Sequence, residues 1–149
     1  MPPNFHRSTA SAIVVVHAAA LALASLEHGV FATVSAYIAV PLFVDGTQPV
    51  LGTFAGGYGL VRVVAFLVGA CGALLVLLSA NSLRQGHRRF VLVGGILSLG
   101  LPFVMLTVDF IMFNLCTLWY LPALTAIPAA VVLFETLPHS PPAPPREEW

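Results

Sequence analysis

The stretch ASAIVVVHAAALALASLEHGVFATVSAYIAV, residues 10–40, decides the fold because it is apolar almost throughout. As a helix it would be about 46 Å long at ~1.5 Å per residue, whereas the hydrocarbon core of a bilayer is ~30 Å thick, so one membrane crossing accounts for the run. Its one charged residue, Glu27, is followed directly by His28. An acidic side chain near the middle of such a helix costs roughly 3 kcal/mol. This pair is therefore a candidate functional site whose partner has to come from elsewhere in the chain.

The amino-acid composition is typical of an integral membrane protein. Of the 149 residues, 58% are hydrophobic and 8% are charged, whereas soluble domains carry about 25% charged residues. So few charged side chains could not cover the surface of a soluble fold of this length, which is enough for one domain. The formal net charge is zero, which argues against a nucleic-acid partner. We therefore expect membrane lipids to surround the fold.

The apolar runs and the breaks between them predict an all-α integral membrane four-helix bundle in residues 1–137. Pro41 is expected to stop or bend the first helix, and the glycine- and proline-rich residues 41–57 have the composition of a loop. Residues 138–149, PHSPPAPPREEW, lack apolar periodicity and are expected to form a disordered proline-rich tail. The predicted helices span about residues 11–34, 58–80, 90–108 and 115–135.

The placement of arginine predicts the orientation of the bundle. With four crossings, the two termini and the polar loop 81–89 lie on one side, and Arg62 falls toward the other. Because cytoplasmic loops carry an excess of positive charge, both termini are expected in the cytoplasm of a multi-pass cell-membrane protein. Every basic residue is arginine, which is typical of GC-rich bacterial coding, and Trp119 and Tyr120 suit the aromatic belt at the outer interface. The arginines on the first side are Arg7, Arg84, Arg88, Arg89 and Arg146.

Four polar residues are expected to meet near the outer face. Glu27 and His28 lie about 24 Å along the first helix at ~1.5 Å per residue, Arg62 lies one turn inside the second, and Asp109 ends the third. Small residues share their helix faces, which favours close helix packing. One interpretation is structural, an ion pair that fixes helix register. The other is a ligand or proton site made by Glu27, His28, Arg62 and Asp109.

Two further groups of residues suggest weaker hypotheses. Arg84, Arg88 and Arg89 form a basic patch that faces lipid headgroups, either to bind anionic lipid or to set the topology. His17 and His28 lie three turns apart on one helix face. Haem b needs axial histidines from facing helices, so a haem bound here would require a homodimer or a partner subunit. We otherwise expect no cofactor and no metal.

No catalytic motif is present, which favours a non-enzymatic function. There is no nucleophile elbow, no zinc-protease motif, no phosphate-binding loop and no CxxC pair. The first hypothesis is an accessory or scaffold subunit of a membrane complex, bound to another membrane protein or to copies of itself. The second is a small transporter or ligand-binding protein that uses the outer polar cluster. The third is a haem- or quinone-linked membrane subunit.

The layout resembles that of small bacterial four-helix membrane proteins of the DoxX-like group. The similar points are Pro41 after the first helix, Gly56-Gly57-Tyr58 at the entry to the second, Arg62 close to that entry and Asp109 at the end of the third. The resemblance covers most of the chain at the level of pattern. It implies a four-helix architecture and assigns no site.

Overall fold

Four α-helices make up almost all of the part of the chain that the structure describes. This computed structural model describes residues 3–46, 48–85, 87–112, 114 and 117–136, with the backbone alone at 3–7, 43, 49 and 84. The predicted all-α architecture with four helices is confirmed over these residues, and the predicted tail 138–149 lies outside them. The helices are α1 (Pro3–Val44), α2 (Pro49–Gln85), α3 (Arg88–Ile111) and α4 (Tyr120–Glu135).

Each helix packs against its neighbours in the chain, and α4 closes the ring onto α1. The helices α1, α2 and α3 are long and apolar enough to cross a membrane, and α4 is a shorter apolar helix of 16 residues. The core lies along the centre of the ring, and small residues allow close approach there: a Cβ added to Gly69 would collide with Ser25 Oγ. The fully buried core side chains include Val14, Leu21, Val76, Trp119 and Leu133.

The first two helices are longer than predicted, and the predicted loop at 41–57 is wrong for most of its length. Helix α1 continues through Pro41 to Val44, and α2 already begins at Pro49. Packing explains the difference, because the glycine-rich start of α2 lies directly against α1: a Cβ on Gly59 would lie 3.1 Å from Ser35 Cβ. Tertiary contact of this kind overrides the low helix propensity of glycine.

The later helix boundaries also differ from the predictions. The polar loop 81–89 shrinks to a short connection, since α2 reaches Gln85 and α3 begins at Arg88. Helix α3 continues to Ile111, so that Asp109 lies inside it. Helix α4 begins at Tyr120 instead of residue 115, which puts Pro122 in its first turn, where the missing N–H of proline costs nothing.

The first two helices extend beyond the other two at one end of the bundle. Asp109 bonds Arg62 and Leu101 lies against Gly72, so α3 ends level with about residue 61 of α2. Leu118 bonds Glu27, so α4 begins near that level of α1. Residues 34–44 of α1 and 49–60 of α2 therefore form a two-helix extension, the arm, about 17 Å long at ~1.5 Å per residue.

Candidate functional site

Arg62 is the centre of a polar cluster at the base of the arm. It has no exposed surface, and its Nη1 donates to Asp109 Oδ1 at 2.6 Å and lies 2.6 Å from His28 Nδ1. Its Nη2 donates to Tyr58 Oη at 2.7 Å. The guanidinium carbon also lies 5.3 Å from the ring centre of Phe31 and 4.9 Å from that of Tyr58, within the range of cation–π attraction. The predicted contact between Arg62 and a carboxylate is thus made inside the bundle.

His28 is fully buried between two hydrogen-bond donors. Its Nδ1 faces Arg62, and its Nε2 accepts from the indole Nε1–H of Trp119 at 2.6 Å. Asp109 Oδ2 lies 3.9 Å from the same Nε2. A neutral imidazole carries one proton and therefore offers one acceptor nitrogen. In either tautomer, one of the two short contacts lacks an acceptor.

Glu27 is the partly exposed member of the cluster, and it is held by the segment that leads into α4. Its Oε2 accepts from the backbone N–H of Leu118 at 2.6 Å and lies 3.1 Å from Thr117 Oγ1. Its Oε1 accepts from the amide of Asn114 at 3.3 Å. The carboxylate thus lies at the N-terminal end of α4, where the helix dipole favours negative charge.

Asp109 shares two of these partners with Glu27. The hydroxyl of Thr117 lies 2.6 Å from Asp109 Oδ2, and the amide of Asn114 lies 3.4 Å from Asp109 Oδ1. Two carboxylates from α1 and α3 are therefore linked through one hydroxyl and one amide. All four predicted residues, Glu27, His28, Arg62 and Asp109, are in one hydrogen-bonded cluster that joins α1, α2, α3 and the segment that leads into α4.

The formal charges in the cluster do not balance. Glu27 and Asp109 carry two negative charges, and Arg62 carries one positive charge. The C-terminal end of α3 and the N-terminal end of α4 lie on either side of Asp109 and contribute dipoles of opposite sign. With a neutral His28, one negative charge is in excess in a largely buried site, which is costly unless a proton or a cation balances it.

The sequence pointed to the charged members of the cluster and missed its neutral ones. Trp119 is fully buried and bonded to His28, which corrects its expected place in an aromatic belt, whereas Tyr120 is exposed as expected. Tyr58 lies one helical turn before Arg62, a spacing that could have indicated the contact. Nothing in the sequence singles out Thr117, because its position depends on how the chain turns between α3 and α4.

Of the two histidines of the haem hypothesis, His28 is not free to bind iron as it stands. Both ring nitrogens of His28 face donors, Arg62 and Trp119, so a haem iron could bind this histidine only by displacing one of them. His17 is fully buried, with its Nδ1 at 2.8 Å from Thr125 Oγ1, and its Nε2 has no hydrogen-bond partner among the described residues. No three His, Cys, Asp or Glu side chains of these residues are placed so that they could hold one metal ion.

Two of the three residues of the predicted basic patch have side chains that the structure describes. Arg88 and Arg89 are exposed at the start of α3, next to the exposed His87. The side chain of Arg84 lies outside the described residues. These arginines are at the opposite end of the bundle from the polar cluster, so the two features are independent.

Comparison of the chain with protein-family models, with curated proteins and with solved structures found no match.

Proposed function

We propose that the chain is a small multi-pass membrane protein that acts as a non-enzymatic accessory subunit and binds a partner membrane protein through the arm. Three helices of suitable length and hydropathy support membrane insertion, as do the many large apolar side chains on the outer faces of the helices. The excess of arginine at the end of the bundle that holds the termini supports a cytoplasmic position for both.

The observation that carries this proposal is the apolar surface of the arm. Helix α3, with 24 residues, is about 36 Å long at ~1.5 Å per residue, enough to cross the ~30 Å hydrocarbon core. The arm extends beyond it and contains no charged residue. Yet Tyr37 is 82% exposed, Val44 78% and Phe54 75%. Burying one such side chain is worth roughly 1.5–3 kcal/mol, so a covering partner would be strongly favoured.

The arm also offers a shaped surface for a partner helix. A groove of about 630 Å³ lies along it, and most of its lining residues are apolar. Its base is closed by Met112, which follows α3 directly. A transmembrane helix that extends from the bilayer would fit this groove better than a soluble domain would, because the arm offers apolar contact and few polar groups. The principal lining side chains are Ile38, Leu51, Phe54, Val61 and Met112.

Site-specific photo-cross-linking in native membranes tests this proposal. A photoreactive residue replaces Phe54 on the arm, and the matched control carries it at Phe103, which is 52% exposed on α3. We expect one discrete protein adduct at Phe54 and none at Phe103. The partner, identified by mass spectrometry and then tagged, should retrieve this chain in mild detergent. Adducts with lipid alone at both positions would refute the proposal. An adduct with a second copy of this chain would show that the arm binds another copy and not a different membrane protein.

A second candidate function is supported by the polar cluster itself. Glu27 is partly exposed, and its own charge is the one that Arg62, paired with Asp109, does not balance, so the cluster is suited to bind a proton or a small cation. A small transporter or ligand-binding protein would use Glu27 in this way. Uptake of protons or of a monovalent cation into proteoliposomes tests it: Glu27→Gln should abolish the uptake, and Asp45→Asn, which removes an exposed acid, should not. Unchanged uptake in a folded Glu27→Gln variant would exclude Glu27.

A further inference from the structure

Three oxygen atoms stand in a row between α1, α3 and the start of α4. Glu27 Oε2 lies 3.1 Å from Thr117 Oγ1, which lies 2.6 Å from Asp109 Oδ2. Each of these contacts needs one proton to be a hydrogen bond, and the threonine hydroxyl supplies one. When both carboxylates are ionised, one of the two contacts therefore brings two acceptor oxygens together with no proton between them.

The surroundings of Thr117 decide where its own proton points. The contact to Asp109 is the shorter of the two, as expected for a hydroxyl that donates to a charged carboxylate. The backbone N–H of Trp119 donates to Thr117 Oγ1 at 3.2 Å and uses one of its lone pairs. The second lone pair is left to accept a hydrogen bond from Glu27. A protonated Glu27 would complete the hydrogen bonding of the row.

We propose that this row is a proton-binding site in which the proton is held on Glu27 Oε2 and donated to Thr117. The proton passes from hydronium at the exposed edge of Glu27 to the carboxylate oxygen, an O–H bond forms, and water is released. The formal charge of the cluster changes from minus one to zero. This inference rests on the second candidate function and makes Thr117 the residue that links the bound proton to Asp109.

The backbone N–H of Leu118 at Glu27 Oε2 favours the charged form of this carboxyl, and the excess negative charge of the cluster favours its protonated form. Arg62 is paired with Asp109 at 2.6 Å, so Asp109 already has a cation beside it. His28 faces donor groups at both ring nitrogens, so an added ring proton would point at another N–H. Tyr58, from α2, accepts from Arg62. Among the described titratable groups of the cluster, Glu27 alone combines a partly exposed carboxylate with a neighbouring acceptor that lacks a proton.

Infrared difference spectroscopy, acidic minus alkaline, tests the site in the full-length protein in lipid. A protonated carboxyl has a C=O stretch apart from the amide bands. We expect the wild-type protein to show this band, with one component, called the buried component, that comes from Glu27. Glu27→Gln should lose this component. Thr117→Val should move it to higher wavenumber, because the hydrogen bond to the threonine is lost. Thr117→Ser should restore its position. Asp45→Asn, an exposed acid next to the arm, is the control and should leave that component in place.

The possible outcomes separate this inference from the function on which it rests. A buried component that is lost in Glu27→Gln but unmoved in Thr117→Val refutes the row and leaves Glu27 as the proton site. A component that persists in Glu27→Gln refutes both. If Thr117→Val does not fold, Thr117→Ala, which also lacks the hydroxyl, takes its place and should move the band in the same direction. A band of Glu27 that stays in place in Thr117→Ala overturns the proposal.

Discussion

Trp119 donates its indole N–H to His28 Nε2 across 2.6 Å, and neither side chain has exposed surface. The ring centres are 5.8 Å apart, so the contact joins the start of α4 to the middle of α1 by both packing and hydrogen bonding. Because Arg62 approaches His28 from its other nitrogen, the imidazole ring connects two parts of the chain that are far apart in sequence.

Replacing Trp119 by Phe should destabilise the bundle, because His28 Nε2 would lose its partner inside the protein. The expected loss is about 1–3 kcal/mol, the cost of an unsatisfied buried polar group, measured by denaturant unfolding in detergent micelles followed by circular dichroism. Tyr120→Phe is the matched control: it removes a polar group from an adjacent, exposed ring and should change stability by less than about 0.5 kcal/mol. A gain in stability in Trp119→Phe would show that His28 prefers to donate from Nε2.

Replacing Arg62 by Leu should be the most damaging single change in the cluster. It leaves Asp109 charged and unpaired in the interior, which costs roughly 3–5 kcal/mol. The double variant with Asp109→Leu should recover part of this loss, since both buried charges are then removed. Thermal unfolding in micelles measures each variant. Arg88→Leu is the control, because this arginine is exposed at the start of α3. Equal losses of stability in Arg62→Leu and Arg88→Leu would contradict the importance of the buried pair.

Gly69→Ala should weaken the contact between α1, α2 and the start of α4. Its Cβ would collide with Ser25 Oγ and lie 3.1 Å from Trp119 Cη2, and overpacking of this kind costs about 1–3 kcal/mol. Gly100→Ala is the matched control in α3, where an added Cβ meets nothing within 4 Å. Alanine should be neutral or stabilising there by up to about 1 kcal/mol, because it favours the helix. Unfolding midpoints of the two variants that shift in the same direction would contradict the close packing at Gly69.

The charged members of the cluster could be predicted from the sequence because charge is so costly in an apolar helix. Glu27, Arg62 and Asp109 each interrupt a different apolar run, and counting residues along alternating helices puts them at one level. The neutral members obey no such rule. Thr117 and Trp119 reach the cluster from the segment before α4, and nothing in their own sequence neighbourhood predicts their position.

The arm could not be predicted by the same means, because local composition pointed elsewhere. Pro41 and the glycines of residues 52–59 are typical of a loop. In the structure, the lack of a side chain at Gly59 instead lets α2 lie close against Ala32 and Ser35 of α1. A helix that long also exceeds what one membrane crossing requires, so bilayer thickness gave no reason to expect it.

The antiparallel course of α1 and α2 places the two connections, at 45–48 and 86–87, at opposite ends of the bundle. We therefore expect Asp45→Cys and His87→Cys, in a background in which Cys71 and Cys116 are replaced by Ala, to differ in their reaction with a membrane-impermeant thiol reagent. Both residues are exposed. Since the arginine excess favours a cytoplasmic position for the end that carries Arg88 and Arg89, the cysteine at 45 should react in intact cells and the one at 87 only after permeabilisation. The reverse pattern would show that the orientation is the opposite one. Reaction of both cysteines in intact cells would show that α2, which lies between them, does not cross the membrane.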